Sequence, residues 1–289
     1  MLAQFIVSGI VVGCVYALVA VGFTVIYDAT ETVNFAVGES LMIGAYFLLT
    51  FWVLWEIPYL WSLALTLLAS GALGYLVYDR LVSRPLMGAG LLPRVVALMG
   101  MAAILKGLAR VIWGADAYHL PPPITAAPLR FGPVAITAQE ILIVVVTVAV
   151  VAGLYVFFRY TKLGTAMRAT SQSRRAASLM GVNVSVVFAA AWIIGTMLSA
   201  VGGVLLAPLL LVDPDMGELG IKSFTAAVLG GFGSLAGAIV GGVLLGVVEN
   251  LVAGYLRADW QNAATFVLMV LVLAIRPTGL FGKADSTRV

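Results

Sequence analysis

Charge is what this chain of 289 residues lacks most: Lys and Arg number 16, Asp and Glu 13, and together they are 10% of a sequence that is 62% hydrophobic. A water-soluble domain is roughly a quarter charged, so there is too little polar surface here to wet a globule. Histidine and cysteine are nearly absent, with one of each. Cys14 alone cannot close an internal disulfide, and one thiol with His119 excludes a His/Cys metal cluster, so no metal or other cofactor is expected. There is no Gly-x4-Gly-Lys-[Ser/Thr] loop, so the chain cannot hydrolyse nucleotides itself. No nucleophile, base and orienting acid converge at a readable spacing, and no catalytic residue is expected. The opening Met1-Leu2-Ala3-Gln4 lacks a basic n-region, and the apolar run behind it is too long for a cleaved signal peptide. It reads as a retained span.

Long apolar runs are what the chain does have, with a mean hydropathy of +1.10. A helical span needs about 20 apolar residues to cross a hydrocarbon core about 30 Å thick. Seven runs come close: 5–27, 41–55, 60–82, 95–113, 141–158, 184–211, and 266–275 with the residues before it. An eighth, 224–256, is longer than one span and is interrupted by glycine. Lipid offers backbone groups no partner, so all regular structure should be helical. The expected fold is an all-α polytopic membrane bundle, one domain over 1–289 with about eight transmembrane helices. The net charge of +3 fits basic residues held in inner loops rather than a nucleic-acid partner.

Basic residues set the expected orientation. Segment 159–182 carries Arg159, Lys162, Arg168, Arg174 and Arg175 without an acid and reads as cytoplasmic. Connection 79–94 (Arg80, Arg84, Arg94) and tail 276–289 (Arg276, Lys283, Arg288) belong on the same side. Loops 114–140 and 212–222, the latter with Asp213, Asp215 and Glu218, should face outward. An outer 212–222 and an inner tail demand an odd number of crossings between them. A half-helix over 224–229 that turns back at the following glycines meets that demand.

Two interruptions break the lipid-soluble pattern, near 31–40 and 224–236. The first carries Asn34, Phe35, Gly38 and Glu39; the second carries Gly230, Gly231, Gly233 and Ser234. Irregular backbone at membrane depth belongs where it is buried in protein or lines a wet cavity. One such segment in each half marks a transport pathway and is compatible with inverted-repeat halves. The glycines that follow, Gly237, Gly241, Gly242 and Gly246, equally match small-x3-small helix packing. Gly231-x-Gly233-x-x-Ala236 mimics a dinucleotide fingerprint, but no strand precedes it.

Charges in the runs need a reason. Lys106 and Arg110 sit near a helix end and read as snorkelling. Glu249 is either interfacial or paired with a base, and Glu39 is placed at the pathway. In 159–182, Ala166, Ala169, Ala176 and Met180 recur at helical spacing, with Arg168, Gln172 and Arg175 on another face. An alanine-rich face without bulky anchors suits a protein groove better than lipid, and Gly181 can end the helix.

Four blocks together resemble the permeases of branched-chain amino-acid ABC transporters: 9–22 followed by 33–39, 163–182, 224–234, and Arg276-Pro277-Thr278-Gly279-Leu280-Phe281-Gly282. The resemblance spans about 5–282. It implies an inner-membrane subunit that forms a solute pathway with a second permease, is driven by two cytoplasmic ATPases, and is fed by an extracytoplasmic binding protein. It also implies that Gly164, Ala166, Arg168, Ala169, Ala177, Met180 and Gly181 belong to the loop that couples to the ATPases. The breaks around Asn34–Glu39 and Gly230–Ser234 would line the path. The family motif usually reads Asn-Phe-Ala-His-Gly-Glu, and Val37 stands here in place of the histidine. Relatives carry urea or amides, so those solutes stay open, as does a carrier or channel working alone. An intramembrane enzyme would require more convergent polar groups in the spans than Glu39 and Glu249 supply.

Overall fold

The computed structural model describes residues 2–86, 88–131, 134–257 and 259–282. Lys283 and Arg288, assigned above to an inner tail, lie outside the described residues. Among the described residues there are eleven α-helices: α1 (Leu2–Thr30), α2 (Val37–Leu48), α3 (Tyr59–Leu73), α4 (Leu91–Trp113), α5 (Ala138–Tyr160), α6 (Lys162–Gln172), α7 (Arg174–Leu179), α8 (Val184–Leu206), α9 (Leu219–Gly230), α10 (Leu235–Tyr255) and α11 (Trp260–Ile275). α2 and α3 continue as π-helix over Leu49–Leu54 and Gly74–Ser83. Among the described residues, seven helical stretches are long and apolar enough to cross a membrane, and α11 is a shorter apolar helix. The chain is a polytopic all-α bundle.

α1 is the axis. In its most apolar stretch 89% is buried in protein, against 11% for α5, which therefore lies at the rim. α8, α9 and α10 pack on α1. Small residues make this possible: Gly9 and Gly13 meet the backbone of α10 near Val243–Val247, and Gly242 meets Ala17. Any side chain at these glycines would collide with main-chain atoms, so Gly242 and Gly246 serve helix packing.

Contacts along the helices define two ends. At one, Gln4 Nε2 donates to Ala135 O (3.0 Å), and Ala135 N–H donates to Gln4 Oε1 (2.9 Å). Here a short hairpin, β1 (Leu129–Phe131) with β2 (Val134–Ile136), corrects the expectation that all regular structure is helical. It lies between spans, outside the region where lipid forbids an open sheet edge. Tyr118 and Val212 exchange two backbone hydrogen bonds of 2.9 Å, which ties loop 114–140 to loop 212–222. The opposite end holds the close of α1 together with α6 and α7. α3 runs antiparallel to α8, with Gly71 beside Met197 and Gly74 beside Trp192, so connection 79–94 reaches that same end.

Both interruptions are present with shifted bounds. The first occupies 31–36, and Val37, Gly38 and Glu39 already belong to α2. The second separates α9 from α10 over 231–234. α9 has 12 residues, roughly 18 Å, which is too short to cross. It runs back along α10, with Gly230 against Gly237 and Ala226 against Gly241. The half-helix is real, and it starts earlier than expected, at Leu219.

Candidate functional site

The two breaks, almost 200 positions apart in the chain, meet on one side of α1 through aromatic rings. Phe35 of the first break lies 5.7 Å from Phe224 of α9, and Phe224 lies 5.7 Å from Phe232 of the second break. Phe23 and Tyr27 of α1 close the cluster at 5.6 Å from Phe224 and 4.8 Å from Phe232. Phe35 remains 40% exposed, so the cluster forms a wall with an open face rather than a sealed core. The sequence singled out Phe35 alone; Phe224 and Phe232 were readable only as parts of the 224–234 block that carries the family resemblance, and Phe23 and Tyr27 as ordinary span residues.

The remaining break residues hold this wall in place. Asn34 Oδ1 accepts from Ala36 N–H (3.0 Å) and is buried, turning the chain into α2. Tyr78 O–H donates to Ala36 O (3.0 Å), contacts Ser40 Oγ (2.8 Å), and stacks on Trp192. Gly38 packs backbone to backbone against Gly217 and Gly220. Ser234 is the N-cap of α10, accepting from Gly237 N–H at 3.0 Å. Gly231 and Gly233 have φ of +99° and +82°, which glycine adopts freely. The last block of the sequence joins here too. Leu280 and Phe281 N–H donate to Leu229 O and Gly230 O, each at 2.9 Å, so the tail satisfies the carbonyls that end α9.

Three charges in the spans, Glu249, Lys106 and Arg110, are paired. Glu249, 2% exposed, accepts from Tyr16 O–H (2.9 Å), from Lys222 Nζ (3.2 Å to Oε1) and from Thr265 O–H. That settles the alternatives for Glu249 in favour of a base. Lys106 and Arg110 reach toward the bundle end as expected, and what they reach is Asp215, at 2.7 and 3.4 Å from Oδ1. The Lys106 ammonium holds the Asp215 carboxyl below the usual carboxylate range. Glu39 lies beside Gly217 in the same field of Lys106. Among the described residues, no group of three or more His, Cys, Asp and Glu is gathered as a metal would need.

Segment 159–182 forms two helices rather than one. Thr161 caps α6 by accepting from Gly164 N–H (2.9 Å), and Ser173, in extended conformation, caps α7 by accepting from Ala176 N–H (3.2 Å). The turn at Ser173 resets the helical phase and splits the single alanine face expected from sequence. Gly164 packs on Phe157 and Phe158 of α5, while Met167, Thr170 and Ala177 are buried. Ala166 and Ala169 are half-buried; Arg168, Arg175 and Ala176 point outward. Leu179 and Met180 are 81% and 86% exposed, just before Gly181 turns the chain at φ +83°.

Residues 5–273 match the family described as the permease component of branched-chain amino acid transport systems. The high-affinity branched-chain amino acid transport system permease protein BraD of Pseudomonas aeruginosa is 36% identical over 303 residues, covering 99% of this chain and 97% of that protein. LivH of Salmonella typhimurium, of the same description, is 33% identical with the same coverage. The probable LivH of Methanocaldococcus jannaschii is 28% identical over 92% of this chain and 88% of its own. In fold, the chain is similar to the solved structure of PsaBC from Streptococcus pneumoniae in complex with Fab, with a TM-score of 0.50 at 13% identity over 96% of this chain and 92% of that one.

Proposed function

The chain belongs to the permease-component family of branched-chain amino acid transport systems, and from that membership we propose how its parts divide the work of moving a solute. It is a multi-pass transport subunit. The pathway half is the aromatic wall where the two breaks meet, with the open face of Phe35 turned to a second permease. The meeting of the two breaks carries this reading. Apolar rings beside exposed backbone turns suit a branched aliphatic side chain on a zwitterion, so the solute is a branched-chain amino acid.

The energy comes from two cytoplasmic ATPase chains docked on α6 and α7 at the inner membrane's inner face. An extracytoplasmic binding protein delivers solute to loops 114–140 and 212–222. Exposed Leu179 and Met180, flanked by Arg168 and Arg175, are the anchors for the ATPases. A buried apolar pair at the centre of an interface outweighs a basic rim. Replacing Leu179 and Met180 together by Asp should cut ATPase co-purification roughly tenfold or more, with membrane insertion unchanged. Undiminished co-purification would remove the docking assignment. Ala177 is the poorer test, because it is buried against its own chain.

A further inference from the structure

The last turn of α1 sits between the 159–182 segment and both breaks. Glu31 closes the helix: its N–H donates to Tyr27 O at 2.7 Å, and its φ of +49° is unusual for a residue other than glycine. That turn directs the chain into the first break. The Glu31 carboxylate also lies 3.3 Å from Arg174 Nη2, at the first position of α7. Arg174 is held from the other side, its guanidinium 5.2 Å from the centre of the Phe188 ring of α8. Its Nη2 is buried and makes no hydrogen bond among the described residues. One turn before Glu31, Asp28 lies beside Gly233 of the second break. Asp28 also lines a cavity of about 80 Å³ with Met167, Arg168 and Ser171 of α6.

We propose that the Glu31–Arg174 ion pair is the joint through which movement of α6 and α7 reaches the solute pathway, Glu31 and Arg174 acting as positioning residues for the first break. This rests on the reading of α6 and α7 as the ATPase dock. α6 and α7 also meet the spans through Gly164, packed on Phe157 and Phe158, and through Met167 and Arg168 at the cavity shared with Asp28. Hydrophobic contacts are non-directional, whereas the ion pair is centred on the residue that sets the exit of α1 and gives a push on α7 a direction. The Glu31 side chain is 72% exposed, so the pair adds little to folding stability. Its loss therefore leaves a folded chain in which a push on α7 no longer turns the first break.

The test uses the assembled transporter in proteoliposomes, with leucine uptake and ATP hydrolysis measured together. Glu31→Lys and Arg174→Glu should each lower uptake per ATP hydrolysed about fivefold, with the ATPases still co-purifying and still hydrolysing. The swap of Glu31→Arg with Arg174→Glu should restore the ratio. A native ratio in the single variants, or no recovery in the swap, overturns the proposal. The dock itself is read separately: ATPases that stay bound to the Leu179→Asp, Met180→Asp variant would refute the docking surface, whereas the swap reads the joint alone.

Discussion

Glu249 shows what a carboxylate needs in order to survive among apolar helices: Tyr16, Lys222 and Thr265 from three other helices all turn to it. Removing one partner of a buried pair leaves the other charge stranded, and the cost is large. Glu249→Gln should lower unfolding stability in detergent by about 3 kcal/mol, and the double variant with Lys222→Met should recover part of that loss. A double-variant loss equal to the sum of the Glu249→Gln and Lys222→Met losses would mean that the pair is not coupled. In loop 212–222, Asp215 is depressed below its ordinary 3.8 by Lys106. Its stabilising contribution is complete above that ordinary value and is lost only as pH falls through the lower folded one. Between about pH 5 and 8 the Lys106–Asp215 link should therefore hold unchanged, and unfolding midpoints of native chain and Lys106→Met should differ by a constant amount across that range. The sequence exposed these charges as anomalies because each stood in an apolar run. It could not pair them: Tyr16 and Glu249 are 233 positions apart, and helical periodicity carries no information about which distant face is opposite.

At the scale of elements, the breaks were legible and their partners were not. Glycine clusters and a polar stretch between apolar runs announce irregular backbone, and a half-helix is the simplest way to reach an odd crossing count. The bounds moved because Asn34 turns the chain early, so that Gly38 and Glu39 fall inside α2. The 159–182 face was misread because Ser173 looks like any helical residue until its extended backbone is seen. The part played by the tail was invisible, since nothing in Arg276–Gly282 says that its N–H groups end α9. That arrangement needs glycine at 279, where φ is +79° and the neighbour is the backbone of Gly231. Gly279→Ala should cost about 1 kcal/mol from backbone conformation alone, and more from the collision with Gly231. Leucine uptake should fall with it, because α9 loses its cap at the proposed pathway. Uptake at the native level in a Gly279→Ala transporter would show that the tail does not brace the break.

As a whole molecule, the chain is a bundle built around one buried helix, with an irregular, aromatic-walled face on one side and a two-helix handle at one end. Its family membership makes it a transport permease subunit, and the function proposed above makes its aromatic-walled face half of a conduit. The chain carries no phosphate loop. On that proposal, the conduit is moved by another polypeptide. The most direct test is radiolabelled leucine uptake into proteoliposomes holding this chain and its partner permease, with binding protein present, with and without the ATPase pair and ATP. Accumulation against a gradient should require both the ATPases and ATP. Accumulation of leucine by the permeases alone would contradict the account.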